Sequence, residues 1–171
     1  LRFESVGPAW GLNQKCVSFG CAFADLDGDG DLDLVYVNYQ GQLTLLRNDC
    51  DSGHSVVIHL KGTHSNRFGV GALVRLETAT GPQVRQLVLA RGYESTSEPL
   101  LHFGLGADTR IRKLGVTWPD GGYQEFTDIA ADQRLTITEP AGAPVPAPAV
   151  AAPPPQFTEA SVRIGLSASS E

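Results

Sequence analysis

Apolar and polar side chains alternate in the first regular stretch of the chain, where Val17, Phe19, Cys21 and Phe23 are interleaved with Ser18, Gly20, Ala22 and Ala24. A period of two predicts a strand with one buried face. Two further strands are predicted over residues 32–38 and 42–47, separated by the turn Tyr39-Gln40-Gly41, so residues 16–47 read as a three-stranded meander. A second series begins at Ser55, with strands predicted over 56–60, 72–77, 84–90, 100–103, 113–118, 123–126 and 135–138 and turn residues such as Thr80-Gly81-Pro82 between them. No stretch carries a helical period. The expected fold class is all-β: a blade-like antiparallel meander, then a β-sandwich or barrel, then an extended Pro/Ala-rich tail.

The first bend of the meander is where chemistry enters. Asp25, Asp27, Asp29, Asp31 and Asp33 fall within nine residues, and carboxylates so close repel one another unless a cation sits among them. With Asp25 as position 1, acids stand at 3, 5 and 9 and Gly30 at 6, where a calcium loop turns sharply and a positive φ is cheapest. Asp25, Asp27, Asp29 and Asp33 are expected to bind Ca2+ through their side chains and Asp31 through its carbonyl. An EF-hand needs a bidentate Glu at position 12 and a following helix, but Tyr36 stands there inside the β-prone run Leu34-Val35-Tyr36-Val37. The loop is therefore expected to join two strands. The competing reading is a solvated acidic turn, which gives no reason for acids at alternating positions.

Composition narrows the function. A net charge of −6, with no basic patch to neutralise phosphates, argues against a nucleic-acid partner. No apolar run reaches the eighteen or so residues of a membrane span. The chain has no Met and begins at Leu1, which reads as a processed or excised piece. Three cysteines, Cys16, Cys21 and Cys50, allow one disulfide and one leftover thiol. Cys16 and Cys21 point to opposite strand faces, so Cys50 is the expected mate of one of them. Millimolar calcium and disulfides both fit an extracellular or periplasmic location.

At Pro140 the composition changes. Residues 140–156 hold seven of the eleven prolines, a polyproline-like connector of roughly 50 Å at about 3.1 Å per residue. Beyond it, Phe157 and Gly165-Leu166 echo Phe3 and Gly11-Leu12 with the same spacing, which suggests the start of another repeat. The expected organisation is a calcium-binding unit over 1–50, a sandwich over 51–139, a linker over 140–156 and a tail over 157–171.

These residues resemble a known family. Residues 3–48, with Gly20, Phe23-Ala24-Asp25 and the acidic loop, resemble an FG-GAP or VCBS-type repeat, the calcium-binding unit of integrin-like propeller blades. Residues 55–139 resemble the ASPIC/UnbV domain of the cartilage acidic protein 1 family. The carrying residues are Gly62, Ser65-Asn66-Arg67-Phe68-Gly69-Val70-Gly71-Ala72, Gly92-Tyr93 with Ser95, His102-Phe103-Gly104-Leu105-Gly106 and Trp118-Pro119-Asp120-Gly121. The resemblance implies extracellular or periplasmic proteins in which calcium stiffens blades and the second domain serves as an interaction module. It brings metal roles to Asp25, Asp27, Asp29 and Asp33 and no catalytic residue. A lone three-stranded unit cannot close a propeller, so it should pack on the following sheets or on another chain.

Other candidates for chemistry are weaker. Gly69-Val70-Gly71 and Gly104-Leu105-Gly106 precede no helix and read as turns rather than phosphate loops. His54, His59, His64 and His102 accompany no nucleophile-elbow serine or cysteine. Glu94 and Glu98 read as turn residues, and Trp118 should bury its ring at a strand end. The chain is thus expected to be a non-catalytic, calcium-stabilised interaction module. The alternative is a structural subunit of a larger complex contacted through residues 140–171, and a carbohydrate-binding β-protein ranks below both.

Overall fold

The computed structural model describes residues 2–50 and 53–148. The expected disposition of residues 149–171, including the echo at Phe157, lies outside the described residues. Among the described residues the regular secondary structure is almost wholly strand, as the periodicity predicted. A single 3-10 turn, Gly7–Trp10, precedes the first strand.

Strands Ser18–Ala24 (β1), Asp33–Asn38 (β2) and Thr44–Leu46 (β3) form an antiparallel meander in that order. Its register pairs Phe23 with Leu34 and Leu34 with Leu46 on one face, and Ala22 with Val35 and Val35 with Leu45 on the other. The third strand is shorter than the pattern predicted, because Asn38 donates to the Gln42 carbonyl and the Thr44 hydroxyl and holds residues 39–42 in the turn.

The second unit contains His54–Lys61 (β4), Leu73–Glu77 (β5), Pro82–Gln86 (β6), Ala90–Arg91 (β7), Ser95–Thr96 (β8), Leu100–Gly106 (β9), Arg110–Thr117 (β10), Tyr123–Ala130 (β11) and Gln133–Thr138 (β12). One sheet has the order β11-β10-β5-β6 and is antiparallel throughout. The other has the order β12-β4-β9, with β9 antiparallel and β12 parallel to β4. The β7–β8 ribbon stands apart from both sheets.

Strict alternation in β5 and β9 sends Val74, Leu76, Leu101, Phe103 and Leu105 inward. They meet Ile58, Leu60, Ile111, Leu114, Val116, Ile137 and the ring of Trp118 in one core between the two sheets. Strand β4 departs from alternation: Val56, Val57 and Ile58 are all buried. As the central strand of its sheet it is covered on both faces, and Val57 turns to the cavity beside the acidic loop. The whole cluster lies between residues 56 and 137. The meander adds no buried apolar side chain to it, and Phe19, Val37, Tyr39, Leu43 and Leu45 stay exposed.

The family-like motifs build this frame. Asn66 Oδ1 accepts the Val70 amide and its Nδ2 donates to the Val70 carbonyl, closing the turn that precedes β5. Gly69 adopts φ +65°, and a Cβ there would stand 2.9 Å from Leu60 Cβ and 3.1 Å from the Trp118 ring, so no side chain fits. Trp118 is buried, as expected, with its indole N–H on Gln124 Oε1 at 2.6 Å.

Glu139 follows β12 and is buried. Its carboxylate accepts the amides of Thr63, His64 and Ser65 at 2.7–2.9 Å and the Ser65 hydroxyl at 2.6 Å. Burial works to raise its pKa, but these four donors outweigh that and hold it at about 2. Contacts continue past Pro140: the Tyr123 amide donates to the Val145 carbonyl and Gly122 bridges Pro146. The first residues of the expected linker therefore lie on the sandwich.

Ile58→Ala is expected to lower the unfolding free energy by about 3 kcal/mol, and Leu45→Ala to change it by less than about 0.5 kcal/mol, in chemical denaturation. The folded-state pKa of Glu139 is depressed, so its contribution is complete above the ordinary carboxylate range near pH 4.5 and disappears as pH falls towards 2. Glu139→Gln is expected to cost about 2 kcal/mol at pH 7 and to flatten the acid limb of the stability profile.

Candidate metal site

The acidic loop joins β1 to β2, as expected, and its backbone is shaped by its own carboxylates. Asp25 accepts the Gly28 amide on Oδ1 at 2.8 Å and the Gly30 amide on Oδ2 at 3.2 Å. The Asp29 amide approaches Asp27 Oδ1 at 3.4 Å, and the Asp31 amide donates to Asp29 Oδ1 at 2.9 Å. Gly30 takes φ +101°, the conformation anticipated for position 6.

Asp25, Asp27 and Asp29 each bring one carboxylate oxygen to within 4.8 Å of the others. Two oxygens on one calcium ion lie at most about 5 Å apart, twice a calcium–oxygen bond, so the three fit a common ion. Asp31 and Asp33 stand outside this trio. Asp33 is buried, with Oδ2 on the Leu26 amide and Oδ1 on the Asn48 amide, both at 2.9 Å. Those two bonds hold its pKa below the usual carboxylate range and tie the entrance of the loop to the exit of the meander.

Two arginines face the acids. The Arg134 guanidinium, from β12 of the sandwich, donates to Asp25 Oδ2, and the Asp25 side chain is 1% exposed. Arg47 pairs with Asp49 at 2.6 Å, and that carboxylate, with smaller help from Asp27 and Asp29, raises its pKa. Below the loop lies a cavity of about 470 Å³, lined among others by Asp29, Asp31, Ser55, Asp132 and Arg134. Asp132 accepts the Ser55 amide on Oδ1 at 3.1 Å and pairs its Oδ2 with His54 Nδ1 at 2.6 Å.

The meander also meets the β7–β8 ribbon. The Cys21 and Phe23 amides approach the hydroxyls of Ser95 and Ser97 at 3.3 and 3.4 Å, and the Tyr93 amide approaches the Phe19 carbonyl at 3.4 Å. The Gly92-Tyr93 and Ser95 motif thus supplies the seam between the two units. Among the described residues no disulfide joins Cys16, Cys21 and Cys50, contrary to expectation. Cys16 precedes β1 and lies 3.4 Å from the Ser18 hydroxyl, Cys21 sits in β1 beside Gly92, and Cys50 borders the cavity below the loop.

Sequence reasoning missed Arg134 and Asp132, and set His54 aside as a histidine without a nucleophile. The first stands thirteen residues beyond the last motif residue, Gly121, and the parallel pairing of β12 with β4 brings it to the loop. Among the described residues no helix is long and apolar enough to cross a membrane.

A two-sheet sandwich whose motif residues close turns and make the seam defines the class, and residues 62–144 match the family described as ASPIC and UnbV. Over 140 residues, 80% of the chain, the sequence is 32% identical to cartilage acidic protein 1 of Mus musculus and of Homo sapiens. Over 120 residues, 68% of the chain, it is 35% identical to cartilage acidic protein 1 of Xenopus tropicalis. The chain spans about a fifth of the length of these curated relatives, 21% of the first two and 18% of the third.

Asp33→Asn is expected to speed hydrogen exchange of the Leu26 and Asn48 amides by roughly tenfold while leaving the sandwich amides unchanged. Because the Asp33 pKa is depressed, the protection factors of the same two amides in the unmodified chain, which are free of the intrinsic pH dependence of exchange, should fall as pH drops below the usual carboxylate range and stay level above it.

Proposed function

We propose that this chain is a calcium-stabilised, non-catalytic interaction module that works outside the cytoplasm. The observation that carries the reading is the convergence of Asp25, Asp27 and Asp29 carboxylate oxygens within 4.8 Å in a loop that is also tied to the sandwich. Asp25, Asp27 and Asp29 would hold the ion, with the Asp31 carbonyl and Asp33 as the further ligands that the loop spacing suggests. Bound calcium would supply charge neutralisation and rigidity, and nothing in the proposed role requires it to activate a substrate.

The non-catalytic part rests on how the family motifs are used. Ser65, Asn66, Gly69 and Trp118 close and pack turns, and Ser95 meets a backbone amide of the meander. An interaction role draws on the apolar surface of the meander, where Phe19, Val37, Tyr39, Leu43 and Leu45 are exposed. The FG-GAP or VCBS character of residues 1–50 belongs to this reading and is supported by the strand-to-strand acidic loop. Relatives named for cartilage, and a loop suited to extracellular calcium levels, support the location. The alternative of a subunit held through its tail would need residues beyond the stretch at 140–146, which lies on this chain's own sandwich.

Calcium titration of the full chain, followed by calorimetry and thermal melting, tests the reading. At a hundredfold excess over the dissociation constant the ion should stabilise by about 2.7 kcal/mol, which raises the melting temperature by about 5–10 °C. Asp25→Ala and Asp29→Ala should each abolish the rise. A melting temperature indifferent to calcium would remove the metal from the proposal.

A further inference from the structure

Asp25 is claimed twice. It belongs to the trio that fits a cation, and its Oδ2 already accepts a hydrogen bond from the Arg134 guanidinium. The Asp25 side chain is buried beneath that contact, whereas the Arg134 side chain is 57% exposed. Arg134 has therefore kept much of its hydration and can leave the carboxylate at low cost, while Asp25, held by the Gly28 and Gly30 amides, cannot follow it. The cavity of about 470 Å³ beside the contact gives a displaced guanidinium room, with the acids Asp31 and Asp132 in its lining.

We propose that Arg134 is a resident counter-cation of the acidic loop, which holds the loop to the sandwich when no metal is bound and is displaced from Asp25 when a divalent cation binds. The inference rests on the calcium reading of the loop and adds a competitor to it. A guanidinium and a divalent ion on one carboxylate repel each other, and at such short range even a water-like dielectric makes the repulsion worth roughly a factor of ten in binding. Metal affinity is thereby set from the sandwich, through a residue of β12 that belongs to neither the loop nor the meander. Occupancy of the loop and the tie between the two units become linked, since the ion and the sandwich compete for Asp25.

Calorimetric titration with calcium alone, on the full chain, compares the unmodified protein with Arg134→Gln, Arg134→Lys and Arg47→Gln. Arg134→Gln is expected to bind calcium about tenfold more tightly, Arg134→Lys to stay within about threefold of the unmodified chain, and Arg47→Gln to change affinity by less than about threefold. Arg47 carries the same charge near the same loop but bonds Asp49, so it controls for a general loss of positive field. Circular dichroism checks that each variant is folded. In parallel, the Arg134 Nη2–H signals in nitrogen-15 spectra should lose their bonded shift and slow exchange at saturating calcium. Calcium binding that is equal or weaker in Arg134→Gln, or an Arg134 signal unchanged at saturation, would overturn the competition while leaving the metal site standing. Absence of calcium binding in both the unmodified chain and Arg134→Gln would overturn the competition together with the metal reading.

Discussion

A carboxylate withdrawn from water has to be given donors, and in this chain the donors are mostly backbone amides. Three acids take that role. Asp25 gathers the Gly28 and Gly30 amides, Asp33 the Leu26 and Asn48 amides, and Glu139 the amides of Thr63, His64 and Ser65. Each bond set spans a segment without regular strand pairing, so the loops are fixed by the same condition that fixes a strand: no buried polar group left unmet. The arrangement also explains why the acidic loop is compact. Its carboxylates are oriented by amides before any cation is considered, which lowers the ordering cost that an ion would otherwise have to offset.

The two units differ in what holds them. The sandwich has a continuous apolar core from both sheets, whereas the meander is bonded along its backbone and leaves much of its apolar surface exposed. A three-stranded sheet with an uncovered face is marginal alone. Here it is attached through the β1 edge to the β7–β8 ribbon, by hydrogen bonds and the edge contact of Phe19 with Tyr93, and through Asp25 to Arg134, seams that are polar for the most part. Polar seams bury little area, so the meander depends on its internal ties more than the sandwich does. The Asp33 bonds between the loop entrance and Asn48 are among the few that cross the meander's whole width.

Much of this was legible in the sequence. Period-two alternation identified β1, β5 and β9, and the turn glycines separated them correctly. Boundaries failed where side chains capture backbone, as at Asn38, which shortens β3, and where a strand runs past its apolar residues, as β11 does through Thr127, Asp128 and Ile129. The β7–β8 ribbon, two residues on each side, carries no periodic signal at all. Within the candidate site, the spacing of the aspartates predicted the bend but not the division of labour, because alternation cannot tell a carboxylate with a free oxygen from one whose two oxygens are taken up by amides. Asp33 belongs to the second kind in geometry. Arg134 was invisible for a different reason: it reaches the loop only through a parallel pairing across 77 residues of chain, and local sequence holds no record of such a pairing.

The placement of the acidic loop gives it consequences that a calcium turn on an isolated blade would lack. Val57, Ser55 and Asp132 line the cavity under it, so the loop roofs the outer face of the sheet whose inner face carries the core. A charge placed in or taken from that roof acts on β4 and β12 at once, through the Asp132 bond to Ser55 and the Arg134 bond to Asp25. Of the family motifs, Ser65 and Asn66 close turns of the sandwich, whereas Tyr93 and Ser95 reach the meander that carries the loop. The charge balance of the loop is thus coupled to the outer face of the sheet through named polar bonds, while the core on its inner face is carried by apolar side chains.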